Sequence, residues 1–368
     1  MMNKAEFLSA LEQALLALRP KDRQQVLDYY AEMIEDGVEN GASEEEVVAT
    51  FDAPEQIAAQ LCAEYGMMQS TARAREYEPE QPREYAPTGE VHTAAIQLRD
   101  VRVRVVPSPD GRLRVRFTPL EGEQVTAQEA DGVFQFIHRP SLFSTNGWFV
   151  IFSGRREAVV ELPRGFAGTV CVKTTNSGID AADLALEGEL QIVTSNSGIC
   201  VQRCRIETLR AKTSNSVIFL TDAEGAVCEA VTKNAHIDTE RCAFSRLIGQ
   251  TKNGSMNLTD THGDICDCTT SNASMTATYC RFTEDCQLRT SNGKIRVEAL
   301  EAPDIVLETS NASIKGTVQG AEDDYAVTSR TSNAGNKLRD TSGADRPCRL
   351  RAITSNGKID LCFAGKTL

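Results

Sequence analysis

Thr194-Ser195-Asn196-Ser197-Gly198-Ile199 and Thr354-Ser355-Asn356-Gly357-Lys358-Ile359 share one hexapeptide pattern. Its core, a Thr followed two residues later by an Asn, occurs ten times in the chain. The Thr residues are Thr174, Thr194, Thr213, Thr232, Thr251, Thr270, Thr290, Thr309, Thr331 and Thr354. The Asn residues are Asn176, Asn196, Asn215, Asn234, Asn253, Asn272, Asn292, Asn311, Asn333 and Asn356, spaced by 19 to 23 residues. A fixed short period is the signature of a solenoid, in which each repeat buries its apolar face only against its neighbours.

The flanking columns say what kind of solenoid. Six residues before each Asn the side chain is always apolar (Val170, Leu190, Leu209, Cys228 and so on). Four before it most are small or apolar, and three after it stands Ile or Met in nine of the ten repeats. Intervening positions such as Gln191, Arg210 and Glu229 are polar. Such period-two alternation marks half-buried strands. A coil of this length has no room for a strand plus a long helix, so the expected fold is mainly β: a parallel β-helix of about ten coils over residues 166–368. Parity extended along the strand predicts that both the Thr and the Asn point inward. Asn tolerates tight corners, and stacked carboxamides can bond from coil to coil. The Thr and Asn columns are therefore expected to form a structural ladder. An ice- or crystal-binding Thr array would need the Thr to face outward.

The chain of 368 residues carries a net charge of −13. No apolar run is long enough to span a membrane. Met1 to Leu18 reads as an amphipathic helix rather than a signal peptide. Of 12 Cys, several fall in inward columns: Cys228, Cys266 and Cys286 at the position six before Asn, and Cys204, Cys242 and Cys280 eight after it. They are expected to act as small buried hydrophobes, reduced as in a cytoplasmic protein. Cys266-Asp267-Cys268 lacks a zinc spacing. A Cys266–Cys286 disulfide is the minor reading.

Residues 1–66 form a separate helical module with 14 acidic and 4 basic residues, a net charge of −10. Asn3 with Glu6, and Ser43 with Glu46, are capping-box signatures. The first helix is expected to run to about Leu18 and the second from about Asp22 to Glu39. A third ends near Phe51, and a fourth starts at Pro54. This module does not itself bind nucleic acid. Its acidic residues Glu32, Glu35, Asp36, Glu39, Glu44 and Glu45 are candidates for a face that docks a basic partner. Residues 67–90 read as a flexible linker. Residues 91–165, with Phe134, Phe136 and Trp148, read as irregular first coils and a cap over the open solenoid end.

The stretch Phe7-Leu8, Leu11, Leu15, Tyr29-Tyr30, Ile34-Glu35-Asp36-Gly37, Asn40-Gly41, Glu45-Glu46-Val47 and Pro54-Glu55-Gln56-Ile57-Ala58 resembles the HAAS family. These are small helical signalling domains associated with helix-turn-helix regulators, notably PadR-type repressors, in Gram-positive bacteria. The Thr-Ser-Asn repeats resemble a bacterial adhesin-like β-strand-repeat family over about residues 91–365. That resemblance implies a right-handed parallel β-helix. Neither resemblance supplies a catalytic residue.

The sequence offers no phosphate-binding glycine loop, and no metal-spaced Cys/His set. His92, His138, His236 and His262 are scattered and expected at the surface or in turns. Outward Asp180, Asp238 and Asp360 share one column but lie coils apart, too far for paired carboxylate catalysis. No catalytic residue, metal or cofactor is assigned. The expected function is a non-catalytic cytoplasmic interaction protein. Its helical module would dock a PadR-like regulator or another protein, and its solenoid would present a binding or assembly face. The alternatives are an envelope adhesin reaching the surface by an unrecognised route, a carbohydrate-active β-helix enzyme, and self-association through solenoid ends.

Overall fold

The computed structural model describes residues 2–16, 20–39, 43–49, 51–59, 82–120, 122–140, 156–341 and 346–365. The chain divides into a helical unit and a β unit, described here each by itself.

In the helical unit α1 spans Lys4–Ala14, α2 Pro20–Glu39 and α3 Glu44–Val48, and residues 54–59 are helical. Both capping boxes form. Asn3 Oδ1 accepts from Glu6 N–H at 3.0 Å, and Ser43 Oγ accepts from Glu46 N–H at 3.2 Å. Ordered helix ends at Ala14 rather than Leu18. The second helix starts at Pro20 itself, because proline at the first helical position has no orphan N–H to satisfy. Phe7, Tyr30 and Phe51 meet edge-on or tilted with ring centroids 5.2–5.5 Å apart, on a core of Leu11, Leu15, Ile34 and Ile57.

The β unit is a parallel β-helix. On one wall the strands Thr169–Lys173, Ala185–Val193, Ile199–Lys212, Ile218–Val231, Ala243–Gln250, His262–Thr269, Arg281–Arg289 and Asp304–Glu308 stack in parallel register. Val170, Leu190, Leu209, Cys228, Leu247, Cys266, Cys286 and Ile305 form one buried file along it. On the second wall Ile179, Ile199, Ile218, Ile237, Met256, Met275, Ile295 and Ile314 do the same. A further corner is set by a left-handed residue seven after the first seven Asn: Asp183, Arg203, Asp222, Arg241, Asp260, Tyr279 and Ala299 have φ of 47–59°. One residue on, the thiols of Cys204, Cys242 and Cys280 donate to the carbonyls of Gln202, Glu240 and Thr278. The eleven described cysteines are free thiols, and seven of them are buried.

Spatial order departs from sequence order at both ends. Cys348–Ile353 lies between Asp304–Glu308 and Tyr325–Arg330, pairing with each in parallel. Ile359–Ala364 likewise pairs with Ile314–Gln319. The coil later in sequence is thus inserted inside the earlier one. At the other end Thr93–Gln97 sits between Val133–Arg139 and Thr169–Lys173. Arg102–Pro107 pairs with Glu157–Leu162 and with Ile179–Ala182. Both ends therefore hold an intercalated coil, and residues 93–107, within the stretch read as irregular first coils and a cap, supply one strand to each wall.

Both ends also carry covering segments. Gln124–Ala130 covers Val133–Arg139 in antiparallel fashion, and Arg114–Phe117 covers Glu157–Leu162. Arg83–Tyr85, within the stretch read as linker, is a strand paired to Arg114–Phe117. At the far end the edge of Tyr325–Arg330 is occupied by its own chain. Asp340 Oδ1 accepts from Ser329 N–H, Thr341 Oγ1 accepts from Val327 N–H, and Arg346 donates to Tyr325 O. Covering an edge strand in this way removes the template for pairing with another chain.

Candidate functional site

The Thr-Asn corner is built from two separate hydrogen-bonded files. Each Thr is buried. Leaving the strand, the backbone turns one carbonyl, that of the residue after Asn, toward the interior of the corner. A buried carbonyl without a donor costs about 1–3 kcal/mol. The Thr hydroxyl of the next coil donates to it: Thr194 to Ser177 O, Thr232 to Ser216 O and Thr309 to Gly293 O, at 2.9–3.0 Å. The same bond recurs from Thr174 to Val101 O and from Thr331 to Gly357 O.

The Asn side chains do not point inward as parity predicts; they are exposed. The strand stops at or before the residue preceding Thr, so the alternation ends one step earlier than the sequence reading extends it. Each Asn Nδ2 donates to the Oδ1 of the next carboxamide at 2.6–2.9 Å, in the order Asn333, Asn356, Asn311, Asn292, Asn272, Asn253, Asn234, Asn215, Asn196, Asn176. The file ends with Asn176 donating to Asp100 Oδ1 at 2.8 Å. All bonds run one way, so the last member needs only to accept, and a carboxylate is the acceptor-only isostere of a carboxamide. Sequence reading misses Asp100 because its column was searched for Asn. The ladder is a frame whose polar groups are already engaged. Replacing Asn234 by alanine removes two exposed bonds and is expected to cost about 1 kcal/mol, whereas Thr232→Val, which orphans the buried Ser216 carbonyl, should cost about 2 kcal/mol in urea unfolding.

The outward carboxylates are each engaged by a neighbour. Asp180 pairs with Arg102 at 2.7 Å, Asp238 accepts from Asn257 at 2.7 Å, and Asp360 lies between Lys337 and Lys358. They form no facing pair. Among the described residues no group of three or more His, Cys, Asp or Glu is arranged to hold a metal. Cys266 and Cys268 thiols lie 3.7 Å apart in the core, and the hydrogen bond with Cys266, together with burial, pushes the Cys268 thiol well up. A shallow groove of about 780 Å³ runs along the third side past Ala185, Glu187, Arg205, Glu224 and Gly225.

His138 corrects the expectation of a surface histidine. It is buried, in phase with Phe134 and Phe136 on the strand Val133–Arg139. That phase is visible in the sequence. Its Nε2 lies 3.3 Å from Glu123 Oε2, and Arg156 grips the same carboxylate with two bonds of 2.5 and 2.7 Å while lying over the Phe117 ring. Burial pushes the Glu123 carboxyl up, but His138, Arg156 and the Leu120 N–H outweigh it and hold it at about 2. A carboxyl depressed in the folded state stabilises above its unfolded value of about 4.5, and that contribution is lost as pH falls toward about 2. Stability should therefore fall through this window, and Glu123→Gln should flatten that part of the profile. Arg156→Ala leaves the carboxylate buried with a weaker partner and is expected to cost about 3 kcal/mol in chemical unfolding at neutral pH. Trp148, expected in the cap, lies outside the described residues.

On the helical unit, Glu35, Glu44 and Glu45 are exposed, and Glu35 pairs with Lys4 at 2.5 Å. The side chains of Glu32, Asp36 and Glu39 lie outside the described residues. Leu16 and Val38 add apolar surface, at 67% and 42% exposure.

A parallel β-helix preceded by an acidic helical module defines a class of repeat protein. The chain belongs to the Toastrack DUF4097 family, whose pattern it matches over residues 93–361, and residues 6–60 match the HAAS domain. No curated protein matches significantly. Among solved structures, a candidate cell adhesion protein from Clostridium sporogenes aligns over 77% of this chain and 100% of its own, at 7% identity and a TM-score of 0.22. No described helix is long and apolar enough to cross a membrane.

Proposed function

We propose that the chain is a non-catalytic interaction protein of the cytoplasm whose acidic helical module docks a basic surface on a protein partner. The HAAS match together with the exposed Glu35, Glu44 and Glu45 carries this reading. A PadR-type transcription regulator is the partner class that the HAAS resemblance implies. Buried free thiols in many coils suit a reducing compartment. The solenoid contributes a wall of stacked parallel strands.

Fractionation of native cells followed by thiol labelling tests the proposal. Fully free thiols and co-purification with a basic protein in the cytoplasmic fraction are expected. Extensive disulfides, or protease sensitivity on intact cells, would instead support an envelope adhesin.

A further inference from the structure

The corner carries three Asn-Gly steps, Asn253-Gly254, Asn292-Gly293 and Asn356-Gly357. Asn-Gly is the dipeptide most prone to spontaneous deamidation, because the glycine nitrogen meets no side chain as it approaches the carboxamide. In that reaction the glycine amide loses its proton and its nitrogen attacks Cγ of the Asn. The Cγ–N bond breaks, ammonia leaves, and a succinimide ring remains. Water then opens the ring to aspartate or isoaspartate. The three Asn side chains are exposed, so solvent reaches each carboxamide, whereas the glycines that follow them are buried.

We infer that these three positions are latent deamidation sites, held inert by the bonding of the corner. Each attacking nitrogen is engaged: Gly254 N–H donates to Thr251 Oγ1 at 3.2 Å, Gly293 N–H to Thr290 Oγ1 at 3.2 Å and Gly357 N–H to Thr354 Oγ1 at 3.1 Å. Each target carboxamide is held on both sides by the ladder, as Asn292 is between Asn272 and Asn311. Turning Cγ toward the nitrogen breaks both ladder bonds. The backbone has no room to rotate with it, because the Cα of each glycine packs against the carbonyl of the preceding coil, that of Ala235, Ala273 or Ala312. The Thr hydroxyl thus donates to the neighbouring coil and accepts from the would-be nucleophile. Once the corner opens, conversion is one-way. The aspartate formed at Asn356 can no longer donate to Asn311, so the intercalated coil would not regain its rung.

Peptide mapping by mass spectrometry tests this on the full chain held at mildly alkaline pH, with the same chain in urea as the unfolded reference. The folded chain is expected to stay amidated at all three sites while the unfolded chain gains the deamidation mass shift at each. Thr290→Val should accelerate Asn292 severalfold and leave Asn253 and Asn356 at the wild-type rate. Thr290→Ser, which keeps the hydroxyl, should leave all three inert. The inference is overturned if folded wild-type Asn292 reacts at the unfolded rate, or if Thr290→Val leaves it inert. It is equally overturned if Thr290→Val accelerates all three sites together, since global opening rather than the local hydroxyl would then set the rate.

Discussion

Gly293→Ala is expected to destabilise the solenoid by about 3 kcal/mol or more, read as a lowered urea midpoint with unchanged slope. A Cβ at Gly293 would stand 1.7 Å from Ala273 O, 2.1 Å from its carbonyl carbon and 2.7 Å from Ser274 N. All three are backbone atoms of the adjacent coil, so no side chain can swing away. The strands would have to part locally, and the Thr and Asn bonds on either side would lengthen with them. Gly335→Ala is the matched control. It is the same substitution near the same corner, but nothing lies within 4 Å of its Cβ. Its effect should stay within about 0.5 kcal/mol. Equal effects at the two positions would mean that the coils are not packed as closely as described.

The second large effect concerns the order of the last coils. Leu350 is buried between Ile305 on one side and Val327 on the other. An aspartate there puts an unpaired charge into an apolar file, at a cost above about 4 kcal/mol. Because the outer coil rests on this one, Leu350→Asp should release residues 346–365 and 325–341 together in hydrogen exchange. Val327→Asp should release 325–341 while 346–365 stays protected against residues 304–319. Stacking in sequence order requires the reverse: Val327→Asp would free both coils and Leu350→Asp only the last.

Most of the solenoid was legible because its determinants are local and repeated. Alternation names the inward files, the period gives the coil, and the buried Thr file follows from parity. The Asn file was read on the wrong face, because parity holds only while the backbone stays extended and the strand has already ended at this corner. The reversed order of the end coils depends on long-range pairing, yet one local signal encodes it. From Asn234 onward in spatial order, the residue after Asn runs Ala235, Gly254, Ala273, Gly293, Ala312, Gly357, Ala334. Ala and Gly alternate because each glycine leaves space for the carbonyl of the alanine coil before it. In sequence order Ala312 would be followed by Ala334, and the alternation would break. His138 was likewise readable from its phase with Phe134 and Phe136, but its partners Glu123 and Arg156 come from distant segments that no periodicity links. A partner face on the helical module is a proposal. Charge singles out the helical module, but charge alone does not choose among its carboxylates.

On the proposed reading the repeat is a frame and partner binding belongs to the acidic module. The direct measurement is co-purification from the native cell with three full-length chains: the wild type, one carrying Glu35→Lys, Glu44→Lys and Glu45→Lys, and one carrying Asn253→Ser. Wild type and Asn253→Ser should recover the same basic protein, and the charge-reversed chain should lose it. Retention by the charge-reversed chain together with loss by Asn253→Ser would contradict the account and place binding on the ladder.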